Sequence, residues 1–295
     1  MTDTPRQAPA AGSSNPWPAP AKLNLFLHVV GRRSDGYHEL QTCFQFIDLC
    51  DEITIEVRAD GRIRRLTELA DVAEDADLCV RAARALQAAA ACPLGADIGV
   101  LKRIPLGGGL GGGSSDAATC LVALNHLWDL HWPIDTLAAL GLTLGADVPV
   151  FVRGRAAWAE GIGERLTPLY PPFAPLQANY LILKPNVAVS TAQVFQDPEL
   201  TRNSPPITIH GFLQRGGRND CLDVVRRRYP EVGRALDWLS AYGLARLTGT
   251  GACVFLAVET MERGRELAGK LPPAIDAFLA RGLNDSPLLE RLAAG

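Results

Sequence analysis

The stretch Pro105-Leu-Gly-Gly-Gly-Leu-Gly-Gly-Gly-Ser-Ser-Asp-Ala-Ala118 is the most unusual part of this chain of 295 residues. Six of the seven residues that begin at its first glycine are glycine. The stretch lies between a predicted strand (97–104) and a predicted amphipathic helix (116–130), and Ser114 or Ser115 is placed to cap that helix. Glycine lets backbone N–H groups approach a ligand closely, and a helix N-terminus adds partial positive charge. The stretch therefore predicts a phosphate-binding loop.

Other interpretations of the glycine run fit less well. A Walker A loop needs a lysine before its final Ser or Thr, and this run has none. The run also matches GxGxxG at Gly107, Gly109 and Gly112. A dinucleotide site, however, requires an acidic residue at the end of a second strand about 20 residues further on, and 119–145 looks helical. A flexible glycine hinge remains as the alternative without a ligand, although glycine destabilises a helix start.

Lys22 and Asn24 lie two residues apart on a predicted strand (22–30), so their side chains point to the same face. Lysine is rare here, since only four of the 29 basic residues are lysine. A lysine in this position can stabilise developing negative charge. The alternative is a lysine that keeps a strand edge soluble.

Asp147 is the single carboxylate in the apolar run Leu144-Gly-Ala-Asp-Val-Pro-Val-Phe151. Such a carboxylate is desolvated, paired or functional. Close to a cation it could accept a hydroxyl proton during phosphoryl transfer. It could equally be an Asx-turn residue that closes the preceding helix. The residues that follow, 150–160, predict a β-hairpin.

Two further segments carry candidate ligand contacts. Tyr37 and His38 follow a turn at Gly36 and could stack on and hydrogen-bond a planar ring, or simply pack as strand residues. The run Leu247-Thr-Gly-Thr-Gly-Ala252 could approach a phosphate, or form a tight hairpin turn.

Composition limits the class of protein. The net charge is −3 and no polybasic run is present, so we expect no nucleic-acid partner. No apolar stretch approaches the roughly 18 residues of a membrane span. Seven scattered cysteines without a CxxC pair indicate reduced core residues in a cytoplasmic protein. Residues 1–20 resemble a disordered leader that lacks the apolar region of a signal peptide.

Length and proline content predict two domains. The segment 166–179 contains four prolines and is the best candidate boundary. It divides the chain into a first domain, 21–165, and a second domain, 166–295. Strands and helices alternate in the second part without the spacing of parallel βαβ units, which predicts an α+β fold.

Taken together and in this order, the lysine strand, the glycine run and the C-terminal glycine turn resemble the GHMP kinase superfamily of galacto-, homoserine, mevalonate and phosphomevalonate kinases. The resemblance extends from about residue 20 to residue 287. It implies an N-terminal ATP-binding domain of the ribosomal-protein-S5-like type and a ferredoxin-like C-terminal α/β sandwich. The active site would lie in the cleft between them. The implied reaction is ATP-dependent phosphorylation of a small-molecule alcohol, by a monomer or a weak homodimer.

The resemblance also implies roles for individual residues. Asp147 would be the general base, and Lys22 would hold it ionised and steady the nascent alkoxide. Mg²⁺ would bridge the ATP phosphates, with Ser115 as a candidate protein ligand. The residues expected to bind ATP are Pro105, Leu106, Gly107, Gly108, Gly109, Leu110, Gly111, Gly112, Gly113, Ser114 and Ser115.

The substrate pocket narrows the resemblance to members of the non-mevalonate isoprenoid route that act on a cytidine diphosphate ester of a polyol. There, Asn24 would contact the polar chain and His38 would read the cytosine edge. The base would lie between Tyr37 and Phe195, with Thr191 close by. The alternative is a kinase of the homoserine or mevalonate type, whose substrates have no aromatic base to stack. A non-catalytic relative is disfavoured because Lys22 and Asp147 are both present.

Overall fold

The computed structural model describes residues 15–68, 72–272 and 275–294. Its strands are β1 Trp17–Arg32, β2 His38–Arg58, β3 Ile63–Arg65, β4 Gly95–Leu101, β5 Ala157–Gly161, β6 Arg165–Pro168, β7 Asn179–Pro185, β8 Arg246–Leu247, β9 Val254–Val258 and β10 Ile275–Leu283. Its helices are α1 Leu78–Ala89, α2 Gly112–Leu127, α3 Ile134–Leu142, α4 Val148–Arg153, α5 Thr191–Gln196, α6 Ile209–Arg215, α7 Leu222–Arg228, α8 Pro230–Ser240, α9 Met261–Ala268 and α10 Pro287–Ala293.

The described strands form one mixed sheet with the order β3-β4-β2-β10-β7-β9-β8. The long hairpin of β1 and β2 lies in its first half, where β5 also pairs with β2 and β6 pairs with β5. Strand β10 pairs with both β2 and β7, and so joins the two halves of the sheet. Helices pack on the sheet in both halves, which gives the predicted α+β fold.

The N-terminal end of β1 corrects the predicted leader. Trp17 is only 2% exposed and pairs in register with Ile53 of β2. Two prolines, Pro18 and Pro20, are also part of this strand, and proline is tolerated where a strand makes few ladder hydrogen bonds. Residues 17–20 therefore belong to the folded domain; residues 15 and 16 directly precede β1, and the remainder of the predicted leader, 1–14, lies outside the described residues.

The C-terminal end of the chain packs on the first half of the molecule. Leu288 of α10 is part of the same buried core as Ile53 and Phe151. Asp285, just before α10, forms an ion pair with Arg155 at 2.7 Å. The predicted second domain, 166–295, thus ends with a segment that supports the first, while the boundary near 166 stays a prediction.

Two local predictions differ from the structure. Residues 150–160 do not form a hairpin, because Pro149 in the first turn favours a helix and Gly154, at φ 65°, ends it. The hairpin is instead β5–β6. The helix after the glycine run begins earlier than predicted, at Gly112, and its N-cap is Gly111 at φ 77° and neither serine. Among the described helices, none has the length and apolar character needed to cross a membrane.

Candidate active site

A cavity of about 1060 Å³ lies where the glycine run, β1 and the second half of the chain meet. This volume is at the upper end of the range for small-molecule sites. Among the predicted site residues, those that line it are Lys22, Asn24, Tyr37, His38, Asp147, Thr191, Phe195 and all of 105–114. The sequence-predicted residues that were scattered along the chain are therefore brought to one cavity, with the exception of Ser115.

The glycine run is fixed by its carbonyl groups. Four consecutive carbonyl oxygens accept hydrogen bonds from β1 and from the C-terminal glycine turn: Gly107 O from Ala252 N (3.1 Å), Gly108 O from Cys253 N (3.0 Å), Gly109 O from Lys22 Nζ (3.0 Å) and Leu110 O from Lys22 N (2.9 Å). The first N–H groups of α2 have no partner within the helix. A backbone tied by its carbonyls and followed by a helix N-terminus is suited to hold an anion.

Gly109 shows why this run must be glycine. Its φ is +75°, and a Cβ atom there would lie 2.4 Å from the carbonyl oxygen of Thr248. The glycine run can approach the C-terminal turn this closely only because Gly109 has no side chain. The C-terminal turn is therefore a support for the phosphate loop, and Gly249 and Thr250 of that turn also line the cavity.

Lys22 is buried and fixed in place. Its Nζ donates to Asn24 Oδ1 at 2.5 Å and to Gly109 O at 3.0 Å, and it lies 3.4 Å from Asp147 Oδ2. Asn24 and Gly109 thus take two of the three donors of the ammonium group, and Asp147 is its ion-pair partner. The alternative of a solubilising lysine at a strand edge is excluded, because the residue is only 3% exposed.

Asp147 presents its carboxylate to the cavity. It precedes α4 at the N-cap position, yet its side chain makes no capping hydrogen bond, so the Asx-turn interpretation does not hold. Its side chain is 34% exposed, and Lys22 is its only ion-pair partner among the described residues. The carboxylate thus combines a nearby cation with access to a ligand, which is what a general base requires.

Asn24 lies beneath this pair. Its Oδ1 accepts from Lys22, and its Nδ2 donates to Thr42 Oγ1 at 3.0 Å. Its backbone N–H donates to Thr248 Oγ1 at 3.0 Å. The polar atoms of the side chain are thus engaged within the protein, which makes Asn24 a support for Lys22. The substrate contact expected for it stays a prediction.

The two serines after the glycine run differ in position. Ser114 lines the cavity. Ser115 is fully buried, and its hydroxyl donates to Pro20 O at 2.6 Å. Ser115 is thus not among the residues that line the cavity, and its expected role in binding ATP or Mg²⁺ stays a prediction. Within the described parts of the chain, no group of three or more His, Cys, Asp or Glu side chains could hold a metal ion.

The other end of the cavity is aromatic. The rings of His38 and Phe195 are stacked, with centroids 5.2 Å apart and an interplanar angle of 24°. Tyr37 is 61% exposed at the rim. Thr191 shares a hydrogen bond of 2.9 Å with the hydroxyl of Thr250. The structure brings the predicted base-binding residues to one end of the cavity, where Phe195 stacks on His38.

Sequence reasoning missed several polar residues around the site. Thr42 and Thr248 bond Asn24, and Arg202 bonds His38. Lys102 bonds Asp51 and Asp116 at the start of α2. Only Lys102 carried a signal in the sequence, as one of the four lysines.

Two family models match the chain. The one described as GHMP kinases N terminal domain matches residues 77–155, and the one described as GHMP kinases C terminal matches residues 208–279. Together they cover about half of the sequence. The 4-diphosphocytidyl-2-C-methyl-D-erythritol kinase of Pseudomonas aeruginosa (strain LESB58) is 56% identical over 275 residues, which are 93% of this chain and 96% of that protein. The kinase of the same name from Pseudomonas fluorescens (strain SBW25) gives the same values.

Solved structures agree with these relatives. A crystal structure of 4-(cytidine 5'-diphospho)-2C-methyl-D-erythritol kinase matches with a TM-score of 0.77 and 35% identity, over 90% of this chain and 98% of that one. The mevalonate kinase of Methanococcus jannaschii matches with a TM-score of 0.69 and 19% identity, over 93% and 100% of the two chains, which shows a shared fold.

The chain has the fold and both family domains of a GHMP kinase, an ATP-dependent small-molecule kinase. Within that class, the identity and coverage place the chain more narrowly. It belongs to the family of 4-diphosphocytidyl-2-C-methyl-D-erythritol kinases.

Proposed function

We propose that the chain phosphorylates the 2-hydroxyl of 4-diphosphocytidyl-2-C-methyl-D-erythritol with ATP, giving the 2-phosphate and ADP. This reaction would serve the non-mevalonate route to isopentenyl diphosphate. The observation that carries the proposal is the position of the Lys22–Asp147 pair, which lies beside the glycine loop in the same cavity as the stacked His38 and Phe195. One cavity thereby offers a phosphate cradle, a base with its cation and an aromatic contact. The relatives of the same name support this choice of substrate.

The proposed chemistry needs little covalent work from the protein. Asp147 takes the proton of the 2-hydroxyl as the alcohol oxygen bonds to the γ-phosphorus of ATP. The bond between that phosphorus and the bridging oxygen breaks, and ADP leaves. Lys22 carries the compensating positive charge next to the reacting oxygen. Because its ammonium is already held by Asn24 and Gly109, it does not need to reorganise during the reaction.

The glycine loop would hold the polyphosphate of ATP through its backbone N–H groups and the N-terminus of α2. ATP would supply the transferable phosphoryl group, and Mg²⁺ would offset the negative charge of its phosphates. We propose that Mg²⁺ is held chiefly by the phosphates and by water, because this ion keeps several of its water ligands and takes few ligands from the protein. Of the two serines, Ser114 is the one that lines the cavity.

We further propose a cytoplasmic enzyme that acts as a monomer or weak homodimer and binds no nucleic acid. All seven cysteines are free thiols, which suits a reducing compartment. The net charge of −3 offers no general attraction to a nucleic-acid backbone. Sedimentation of the purified chain at several concentrations tests the oligomeric state.

The substrate is tested by a coupled assay of ADP release with purified protein, Mg²⁺ and ATP. 4-Diphosphocytidyl-2-C-methyl-D-erythritol, homoserine and mevalonate are supplied in separate reactions. We expect ADP release with the cytidine compound alone. ADP release with another alcohol would agree with the proposed roles of Lys22 and Asp147 but would contradict the proposed substrate. No release with any of them, together with intact ATP binding, would contradict a catalytic role.

A further inference from the structure

Arg202 lies behind the aromatic end of the cavity and is fixed from several sides. Its Nη1 donates to Leu200 O at 3.1 Å, and its Nη2 donates to Phe195 O at 2.9 Å and to Asp197 O at 2.7 Å. The remaining group, Nε–H, donates to His38 Nε2 at 2.9 Å. The guanidinium is therefore held by the backbone of the segment that carries Phe195, and one of its hydrogens is directed at the imidazole.

This contact determines where His38 carries its proton. A guanidinium can only donate hydrogen bonds, so Nε2 of His38 must accept and cannot bear a hydrogen. The neutral imidazole then has its hydrogen on Nδ1. Among the described residues, none accepts a hydrogen bond from this Nδ1–H, and His38 lines the cavity. The contact thus leaves a single donor of fixed identity for a ligand.

The groups around His38 also disfavour its charged form. Burial lowers the pKa of His38, and the positive charges of Arg202 and Arg32 act in the same direction. Arg32 is its register partner on β1. The two acidic groups of the Arg202 segment pair with arginines of α7: Asp197 bonds Arg227 and Arg228, and Glu199 bonds Arg227. From α5, His38 meets the uncharged ring of Phe195.

We propose that Arg202 is a positioning residue that selects cytosine over uracil by holding His38 as its Nδ1–H tautomer. The ring nitrogen N3 of cytosine is an acceptor, whereas N3 of uracil carries a hydrogen. A donor held at Nδ1 of His38 can hydrogen-bond to N3 of cytosine. In uracil the same donor faces the N3–H group, which is also a donor. Rejection of a ligand that leaves polar groups unpaired is strong in sites of this kind. This inference rests on the proposed function, and it adds a residue and a reason for base selectivity.

The tautomer itself can be measured without substrate. Nitrogen-15 NMR of the histidine side chains in the complete wild-type chain, assigned with a His38→Gln variant, distinguishes a protonated Nδ1 from a protonated Nε2. We expect Nδ1–H for His38 at pH 7–8. A hydrogen on Nε2 would overturn the proposal whether or not the chain has kinase activity. This readout needs no Arg202 variant to fold.

Base selectivity is then measured by calorimetry. Wild type, Arg202→Met and a control, Arg226→Met, are titrated with the cytidine substrate and with its uridine counterpart. A non-hydrolysable ATP analogue fills the glycine-loop end of the cavity. Arg226 is a suitable control because it is an arginine of α7 that pairs with Asp237. We expect Arg202→Met to reduce the preference for cytidine by roughly 10- to 100-fold, and Arg226→Met to leave it as in wild type.

The pH dependence separates a tautomer effect from general loosening. Without Arg202, the neutral imidazole of His38 can accept or donate at Nδ1, whereas the imidazolium, whose share rises as the pH falls, carries a hydrogen on both ring nitrogens. Arg202→Met should therefore bind the cytidine compound more tightly at pH 6 than at pH 8, and the uridine compound less tightly. Equal loss for both compounds at both pH values would overturn the proposal. If the preference for cytidine over uridine depends on Arg202 as expected but no phosphoryl transfer occurs, the proposed function is contradicted and the role of Arg202 is not.

Discussion

Lys22 Nζ lies 3.4 Å from Asp147 Oδ2, so a buried cation from β1 and a partly exposed carboxylate before α4 form one pair at the edge of the cavity. The lysine is the fixed member, since Asn24 and Gly109 hold its other hydrogens. The carboxylate is the accessible member. An arrangement in which the cation is already oriented before a ligand arrives is the kind of preorganisation that lowers a transition-state barrier.

Asp147→Asn should abolish the base while keeping the shape of the site. We expect turnover to fall by roughly 10²–10⁴-fold and the affinity for ATP to stay near that of the wild type, because Asp147 is not part of the glycine loop. Steady-state kinetics and nucleotide titration measure both effects. Asp135→Asn is a matched control, since Asp135 pairs with Arg153 on the surface. Turnover like that of the wild type in Asp147→Asn would remove this residue from the base role.

Asn24→Ala distinguishes a support for Lys22 from a contact with the substrate. Loss of Oδ1 frees the ammonium of Lys22, so we expect kcat to fall by roughly 10- to 100-fold, with a smaller change in KM for the alcohol. Asn179→Ala, at the first residue of β7, serves as the control, because the side chain of Asn179 donates only to Glu259 O at 3.4 Å. A large rise in KM with kcat intact would instead identify Asn24 as a substrate-binding residue.

Phe195→Ala removes the ring that stacks on His38. We expect KM for the cytidine compound to rise by roughly tenfold, because an aromatic stack contributes about 1 kcal/mol beyond burial, and KM for ATP to change much less. The comparison is made with Phe173→Ala, which alters a half-exposed phenylalanine that does not line the cavity. Equal rises in both KM values would contradict a role in binding the base.

The parts of the site that could be predicted are those with a local signature. A glycine run before a helix, a lysine in an apolar strand and a lone aspartate in an apolar turn each stand out from their neighbours. The contacts that complete the site do not. Thr248 bonds the backbone of Asn24 across more than half of the chain, and neither residue type is unusual where it occurs.

The same distinction explains the differences in fold. Trp17 looks like part of a proline-rich leader, and it is buried because β2 and α10 cover it. Ser115 looks like a cap or a metal ligand beside Ser114, but the start of α2 at Gly112 turns its hydroxyl towards Pro20. Strand β10 is stabilised by backbone pairing with its two neighbours, β2 and β7.

Gly109→Ala and Gly107→Ala form a matched pair for the glycine loop. Both residues have positive φ, 75° and 65°, so both variants carry a similar backbone strain. A Cβ at Gly109 would lie 2.4 Å from Thr248 O, whereas one at Gly107 meets nothing within 4 Å. We therefore expect Gly109→Ala to weaken ATP binding by more than about tenfold and to lower the melting temperature. Equal behaviour of the two variants would show that contact with the C-terminal turn is unimportant.

Asp116, Asp51 and Lys102 form a buried cluster at the start of α2. Lys102 Nζ bonds both carboxylates, but Oδ1 of Asp116 has no hydrogen-bond partner among the described residues. The pKa of Asp116 is raised to about 7, chiefly by burial and also by the charge of Asp51, against the opposing effect of Lys102. An acid whose pKa is higher in the folded than in the unfolded chain binds extra protons when folded. Its contribution to stability is therefore present at low pH and is lost as pH rises from about 4 towards 7.

Asp116→Asn should remove this pH dependence. Relative to the variant, the wild type should lose on the order of 2 kcal/mol of unfolding free energy between pH 5 and pH 8, and the subtraction cancels the titration of His28 and His38. Urea denaturation at the two pH values measures the difference. Asp97→Asn is the control, because its bonds to Arg64 and Arg58 lower the pKa of Asp97 and keep it ionised throughout this range. Its cost should be the same at both pH values. A pH-independent cost for Asp116→Asn as well would mean that Lys102 keeps Asp116 ionised, against the effect of burial.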